Sequence, residues 1–222
     1  MKTAIVIGAT GLVGSYITLK LLDDSRYSKV KVFVRNSLEV KHPKLEEHIV
    51  DFEKLDLWKD EIKGDELYSA LGTTIKKAGS KNAQYKIDFT YQYETAKAAA
   101  KNGVKSYMLI SSAGANYKSS NFYLRMKGNL DEKVQLLNFK KIRIFRPSIL
   151  VGLRSEKRVG ESIGIKIAGL ITRIIPALKR YKPIKASIVA EAMIISANQN
   201  KSDKIKPRFV IKEKFLMTAN RK

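Results

Sequence analysis

A chain of 222 residues, 44% hydrophobic, is long enough to bury a core and has the apolar share of a folded globular protein. No apolar run reaches the roughly 20 residues of a membrane-spanning helix, and the absence of cysteine excludes disulfides and thiolate metal sites and points to a reducing, cytoplasmic compartment. The formal net charge of +22 attracts phosphates, nucleic acid and anionic surfaces, but the charges are dispersed and come with no aromatic-interleaved basic motif, which argues against a nucleic-acid binder.

The chain then alternates between two periodicities. "KTAIVIG" is a short apolar run stopping at glycine, the pattern of a buried parallel strand. Its glycine-broken apolar stretch lacks a secretory cleavage pattern and is not expected to be a leader. "LVGSYITLKLLDD" shifts to helical spacing, with Leu12, Tyr16, Leu19 and Leu22 predicted as the buried stripe. "KVKVFVR", "HIVDF" and "DELYSALG" read as the second to fourth strands. "YKIDFTYQYETAKAAAKNG" is a long helix with Asn102-Gly103 as its stop. "VKSYMLISS" is a fifth strand, a helix starts around Asn121, and "KKIRIFRPS" is a sixth strand ended by Pro147. Two further helices, over 161–175 and 184–198, and a terminal strand over 206–214 complete the pattern. The stretches 36–44 and 155–161 are expected to be the mobile loops. The fold class is therefore α/β, a doubly wound and mostly parallel sheet of about seven strands with helices on both faces. Residues 1–222 form a single domain in this reading, with a small C-terminal substrate-side segment from about 148.

Three glycines, Gly8, Gly11 and Gly14, stand at the first strand-to-helix turn. Glycine there lets the backbone turn tightly and approach a pyrophosphate resting on the helix N-terminus. The end of the second strand, where an NAD site places a carboxylate, instead holds Arg35. A guanidinium pairs with a 2′-phosphate, so NADP is the expected cofactor.

Tyr-x-x-x-Lys occurs five times in this lysine-rich chain. Chance supplies about one or two such pairs, so spacing alone selects none of them. Position does: only Tyr123 and Lys127 begin a helix just after a strand ending in hydroxyls, "LISSAG". On that helix they share a face one turn apart. A phenol titrates near ~10 unperturbed, and a neighbouring ammonium favours the phenolate, which suits proton transfer at neutral pH. A serine at the strand end polarises a substrate carbonyl; Ser112 is the choice and Ser111 the alternative. His42 and His48 lack an acidic cluster of metal-ligand geometry and read as surface residues, so no metal is expected. Trp58 reads as packing.

Together, "GATGLVG", "VDFEKLD", "LGTTIKKAGS", "YMLISSAGA", "SSNFYLRMKGNLDEKV" and "IFRPSILVGLRSEKRVGE" resemble the atypical short-chain dehydrogenase/reductases of the Tat-interacting-protein-like type. The resemblance implies an NADP-binding Rossmann fold with a Ser-Tyr-Lys site. It places Gly8, Thr10, Gly11, Leu12 and Val13 at the pyrophosphate, Arg35 at the adenosine phosphate, and Asp51 and Phe52 at the adenine. Leu71, Gly72 and Thr73 fall on the ribose side, Lys127 at the nicotinamide ribose, and Pro147 and Ile149 at the nicotinamide. It also implies a homodimer through the helices around 90–100 and 122–137, and brings no substrate. Three functions follow: an NADP-dependent reductase of a small carbonyl compound, a non-catalytic NADP-binding regulatory or interaction module, and, last, a nucleic-acid binder.

Overall fold

The structure, a computed structural model, describes residues 1–152 and 183–199. The predicted helix over 161–175, terminal strand over 206–214 and loop 155–161 lie outside them.

Six strands form one sheet: β1 (Lys2–Ile7), β2 (Tyr27–Val34), β3 (Leu45–Ile49), β4 (Glu66–Ser69), β5 (Ser106–Ile110) and β6 (Lys141–Phe145). Their order is β3-β2-β1-β4-β5-β6, and every neighbouring pair is parallel. The order reverses beside β1, which opens a crevice at the C-terminal ends of β1 and β4. A separate parallel pair, β7 (Leu150–Val151) and β8 (Ile184–Lys185), was not foreseen; strands of two residues leave no readable alternation.

Successive residues of β1 face opposite layers. Ala4 and Val6 join Ile17 and Leu21 of α1 (Leu12–Asp23) and Val189 and Met193 of the last described helix. Ile5 and Ile7 join Leu67, Ala96, Ala99 and Leu130 on the other face. Helices thus cover both faces of the sheet. The predicted stripe on α1 is corrected: Leu19 is exposed, and Val13, Ile17, Leu21 and Leu22 form the buried face. The last described helix lies across α1, and Val189 and Met193 select the side of α1 that is covered. That selection is a tertiary fact invisible to local spacing.

After β4 come two short helices, α2 (Ile75–Ala78) and α3 (Lys81–Tyr85). A π-turn, Lys86–Thr90, joins α3 to α4 (Tyr91–Lys101), so the predicted long helix begins earlier and carries a widened turn. Asn102 caps its end and Gly103 takes φ 83°, as expected for this stop. Helix α5 (Phe122–Gln135) starts where the sequence indicated, with the Asn121 side chain accepting from the Leu124 N–H. The last described helix, α6, spans Ala186–Asn198.

Candidate functional site

The glycine turn is built to be approached. Gly8 has φ +81°, and a Cβ there would lie 2.5 Å from the Ala70 carbonyl carbon. A Cβ on Gly14 would lie 2.0 Å from the Gly8 carbonyl oxygen, so α1 reaches the turn only with glycine at that place. Gly11 is the N-cap of α1 and offers no side-chain cap, which leaves the N–H groups of the first turn for a ligand. Gly8 and Gly14 admit close backbone packing that a Cβ would block, and Gly8 and Gly11 line the cavities at this turn.

Two cavities meet at this turn. The smaller, about 230 Å³, is lined by Gly8, Thr10 and Gly11, by Arg35, by Phe52, and by Leu71, Gly72 and Thr73, all of them expected cofactor residues. Phe33, Lys77 and Tyr91 also line it. Phe52 is braced edge-on by Trp58, with ring centroids 5.3 Å apart, so the lone tryptophan packs behind the site. Burial first, and then the Glu53 carboxylate, push the Tyr91 phenol up to about 12, with the Arg35 guanidinium opposing them. Asp51 is outside this lining; its carboxylate accepts from the Glu53 N–H and caps a short 3₁₀ turn.

The larger cavity, about 670 Å³, runs from Gly11, Leu12 and Val13 to Tyr123 and Lys127 and includes Ile149 and Ser111. Pro147 is buried and is not part of this lining; its carbonyl accepts from the Ala113 N–H. Of the two serines, Ser111 contributes to the cleft wall, yet its hydroxyl is fully shielded and makes no regular hydrogen bond. Ser112 is half-buried, outside the lining, and holds only its neighbour's carbonyl, Ala113 O, at 3.3 Å.

Lys127 is buried, and its Nζ lies 3.1 Å from Asp88 Oδ1. Burial, the largest single influence, pulls this ammonium down, but Asp88, Tyr123 and Asp131 together outweigh it and hold the group above the ordinary lysine range. One turn further along α5 is Asp131, fully buried, with Arg146 Nε donating to its Oδ2 at 2.8 Å. Burial raises the Asp131 carboxyl against the opposing pull of Ser111 and Arg146. Although Ser111 is near enough to act on it, Asp131 Oδ1 completes no regular hydrogen bond. Tyr123, Lys127 and Asp131 thus form a file with one residue per turn. Asp131 could have been found from that spacing; Asp88 and Arg146 could not, since only the fold brings them there.

His48 is half-buried, stacked on Phe33 at 4.6 Å and bonded to Glu46. Among the described residues no group of three or more acidic or histidine side chains could hold a metal, and no helix is long and apolar enough to cross a membrane.

The model of the NAD(P)H-binding family matches residues 8–138. "Protein fmp52, mitochondrial" of Emericella nidulans is 32% identical over 201 residues, covering 87% of this chain and 86% of its own. Protein HTATIP2 of Rattus norvegicus is 34% identical over 172 residues, covering 76% of this chain and 71% of its own. Among solved structures, a short-chain dehydrogenase/reductase superfamily protein from Agrobacterium tumefaciens with bound NAD superposes with a TM-score of 0.70 at 13% identity, over 90% of this chain and 75% of that one. The Bordetella bronchiseptica enzyme WbmH in complex with NAD+ gives 0.69 at 16% identity, over 91% and 74%. At those identities the structural neighbours speak to the fold alone. The cytoplasmic expectation is corrected by the sequence relatives: the fungal ones are named as mitochondrial proteins. Freedom from cysteine is a statement about composition and does not distinguish one compartment from another.

Proposed function

The chain belongs to the NAD(P)H-binding family and, within it, to the atypical short-chain dehydrogenase/reductases of the Tat-interacting-protein-like type, and on that premise we propose that it is an NADP-dependent oxidoreductase reducing a small carbonyl compound. The observation that carries the proposal is the continuity of the larger cleft, which joins the glycine turn to Tyr123 and Lys127 without a break. The first-turn N–H groups of α1 would hold the pyrophosphate, and Lys127 would reach the nicotinamide ribose. Arg35, at the edge of the smaller cavity and with no carboxylate among that cavity's described lining, would pair with the 2′-phosphate.

When bound, the reduced nicotinamide supplies a hydride to the carbonyl carbon. Tyr123 gives its phenolic proton to the carbonyl oxygen, which yields the alcohol and a phenolate that water reprotonates. The Lys127 ammonium stabilises that phenolate. Ser111 belongs to the cleft wall with its hydroxyl shielded, and Ser112 lies outside the lining with a weak bond to Ala113 O; whichever of the two serves the substrate oxygen would have to turn its hydroxyl into the cleft.

Thermal melting with NADPH and with NADH tests the cofactor. A ligand at a hundredfold excess over its Kd stabilises by about 2.7 kcal/mol, or roughly 5–10 °C for a chain of this size. The expected result is that shift with NADPH, a much smaller one with NADH, and loss of the difference in Arg35→Ala. Equal shifts with both nucleotides would defeat the NADP preference, and no shift would defeat the enzyme. In a carbonyl screen Tyr123→Phe should lose about 10²–10⁴-fold in turnover while keeping the NADPH shift.

A further inference from the structure

The larger cleft carries a charge that its own residues leave unmatched. Asp88 is the single carboxylate in the described lining, and it is engaged: Lys127 Nζ stands 3.1 Å from its Oδ1, and the Thr73 N–H donates to its Oδ2 at 2.8 Å. Lys127 and Asp88 cancel. The remaining charged residue of that lining is Lys76, exposed on α2 and without an ion pair among the described residues.

Other lysines of this basic chain are treated differently. Glu46 meets Lys29 and Lys31, Asp56 meets Lys59, and Glu53 meets Lys86. Around the cleft no such partner is at hand, because residues 67–87 and 95–130, which carry its α2 side and its Tyr123 side, contain no Asp or Glu. Lys81 of α3 strengthens the same field. Its ammonium rests over the Phe122 ring at 5.8 Å, next in the chain to Tyr123.

The lining also leaves apolar surface open. Ile75 is 45% exposed and Ile149 41%. Aliphatic side chains open to a cleft beside a few polar groups form a ligand surface. Ile149 is the expected nicotinamide contact, which leaves Ile75, the neighbour of Lys76, for the substrate.

We propose that the compound reduced in this cleft is an oxo or formyl carboxylic acid, with an apolar body against Ile75 and a single carboxylate paired with Lys76. The inference rests on the reductase reading above and names its substrate class. One unmatched ammonium fits one negative charge, whereas a phosphate monoester carries about −1.5 to −2 at neutral pH and leaves part of its charge unmatched. The basic surface draws either anion to the mouth, so the match at Lys76 decides between them. The carboxylate is unchanged by the reaction. Hydride from NADPH adds to the carbonyl carbon, Tyr123 protonates the oxygen, and the products are the hydroxy acid and NADP+.

Three aldehydes of one skeleton test this: 4-carboxybenzaldehyde, its methyl ester and 4-formylphenyl phosphate. Oxidation of NADPH is followed at saturating NADPH, so that cofactor affinity drops out of the comparison. The acid should exceed the ester in kcat/KM about fivefold, the upper end for a partly exposed ion pair, and should exceed the phosphate as well. Added salt should shrink that preference. Lys76→Met should abolish it and Lys76→Glu should invert it; both changes lie on an exposed position. Equal kcat/KM for acid and ester, a higher value for the phosphate, or a preference that survives Lys76→Met overturns the substrate class. So does a Lys76→Met variant altered only in NADPH affinity, which would assign the ammonium to the cofactor. Melting of NADP+-saturated protein with each aldehyde covers the case of no turnover. Wild-type protein that melts no higher with NADPH overturns the reductase reading and this inference with it. Protein that responds to NADPH but neither reduces nor is stabilised by the acid overturns the substrate class alone.

Discussion

The two ends of the sheet both bury charge and hydroxyl groups, and they do it differently. At the N-terminal ends of the strands Glu66, 2% exposed, accepts from Lys2 Nζ, Tyr27 OH and Tyr68 OH at 2.6–2.7 Å. Asn198 of α6 closes the ring, donating to the Tyr27 oxygen and accepting from Lys2. Burial, reinforced by the Glu66 charge, pushes both phenols well above the ordinary tyrosine range. Every member is satisfied. At the C-terminal ends, Gln84 Oε1, Ser111 Oγ and Asp131 Oδ1 are buried without partners, beside the Asp88–Lys127 pair. Buried polar atoms are ordinarily paired, and exceptions call for a reason. A closed network ties α6 to the sheet and has no capacity left for a ligand. An open one weakens the fold slightly and retains hydrogen-bonding capacity beside the cleft.

If that contrast is right, the largest change in stability should come from the closed end and leave the cofactor untouched. Glu66→Ala removes the shared acceptor of two buried phenols and of the partly exposed Lys2 ammonium, leaving them only Asn198 and each other. The loss should be about 3–5 kcal/mol, or on the order of 10 °C in melting temperature. The NADPH-induced increment in melting should stay at its wild-type size. A variant that melts low and also loses the increment would show that the two ends are not separate.

The next effect belongs to the open end. Gly128 lies on α5 one residue past Lys127, and a Cβ there would stand 2.2 Å from the Tyr117 nitrogen and 2.3 Å from the Asn116 carbonyl carbon. Backbone on both sides cannot yield, so Gly128→Ala must lift α5 and carry Tyr123 and Lys127 away from the glycine turn. About 1–3 kcal/mol of stability should be lost, accompanied by a reduced NADPH increment, the reverse of the Glu66→Ala pattern. Melting curves with and without NADPH distinguish the two.

What could be read from the sequence follows the same division. The glycine turn, the strand-helix rhythm and the Tyr123/Lys127 pair are local patterns, and the structure sets them around connected cavities. The buried face of α1 was misread because the choice between its two apolar stripes is made by α6, a helix remote in sequence. Asp88 was invisible as a partner of Lys127 because a lone acid within a helical pattern reads as a solvated residue. The choice between Ser111 and Ser112 was beyond spacing, since adjacent residues at a strand end point opposite ways and only the packed neighbours determine which hydroxyl is sealed. Asp51 caps the 3₁₀ turn that carries Phe52 and lies outside the lining of the smaller cavity, which no local pattern shows.

The smallest expected effect is the sharpest test of the open end. Burial holds the Asp131 carboxyl above the ordinary 3.8, more strongly than Ser111 and Arg146 pull it down. The folded state therefore keeps this proton at pH values where the unfolded chain has already lost it. Between 3.8 and the raised value the folded state binds more protons, so this group's contribution to stability grows as the pH falls through that window. Asp131→Asn has no such titration. The melting temperature of wild type minus that of Asp131→Asn should rise on acidification from neutral pH to about pH 4. Ser111→Ala removes a hydroxyl that pulls Asp131 down, so it should move the rise to higher pH at little cost in stability, having no regular hydrogen bond to lose. Glu46 on β3 has the opposite sign and serves as the control. Burial there is outweighed by Lys29, His48 and Lys31, which bring its carboxyl down to about 2. Its contribution is present above 4.5 and lost as the pH falls toward 2, and as a half-exposed pair it should amount to only a degree or two. A difference for Asp131→Asn that is flat, or that slopes as Glu46→Gln does, would mean that Arg146 satisfies the carboxylate fully and that the two ends of the sheet are closed alike.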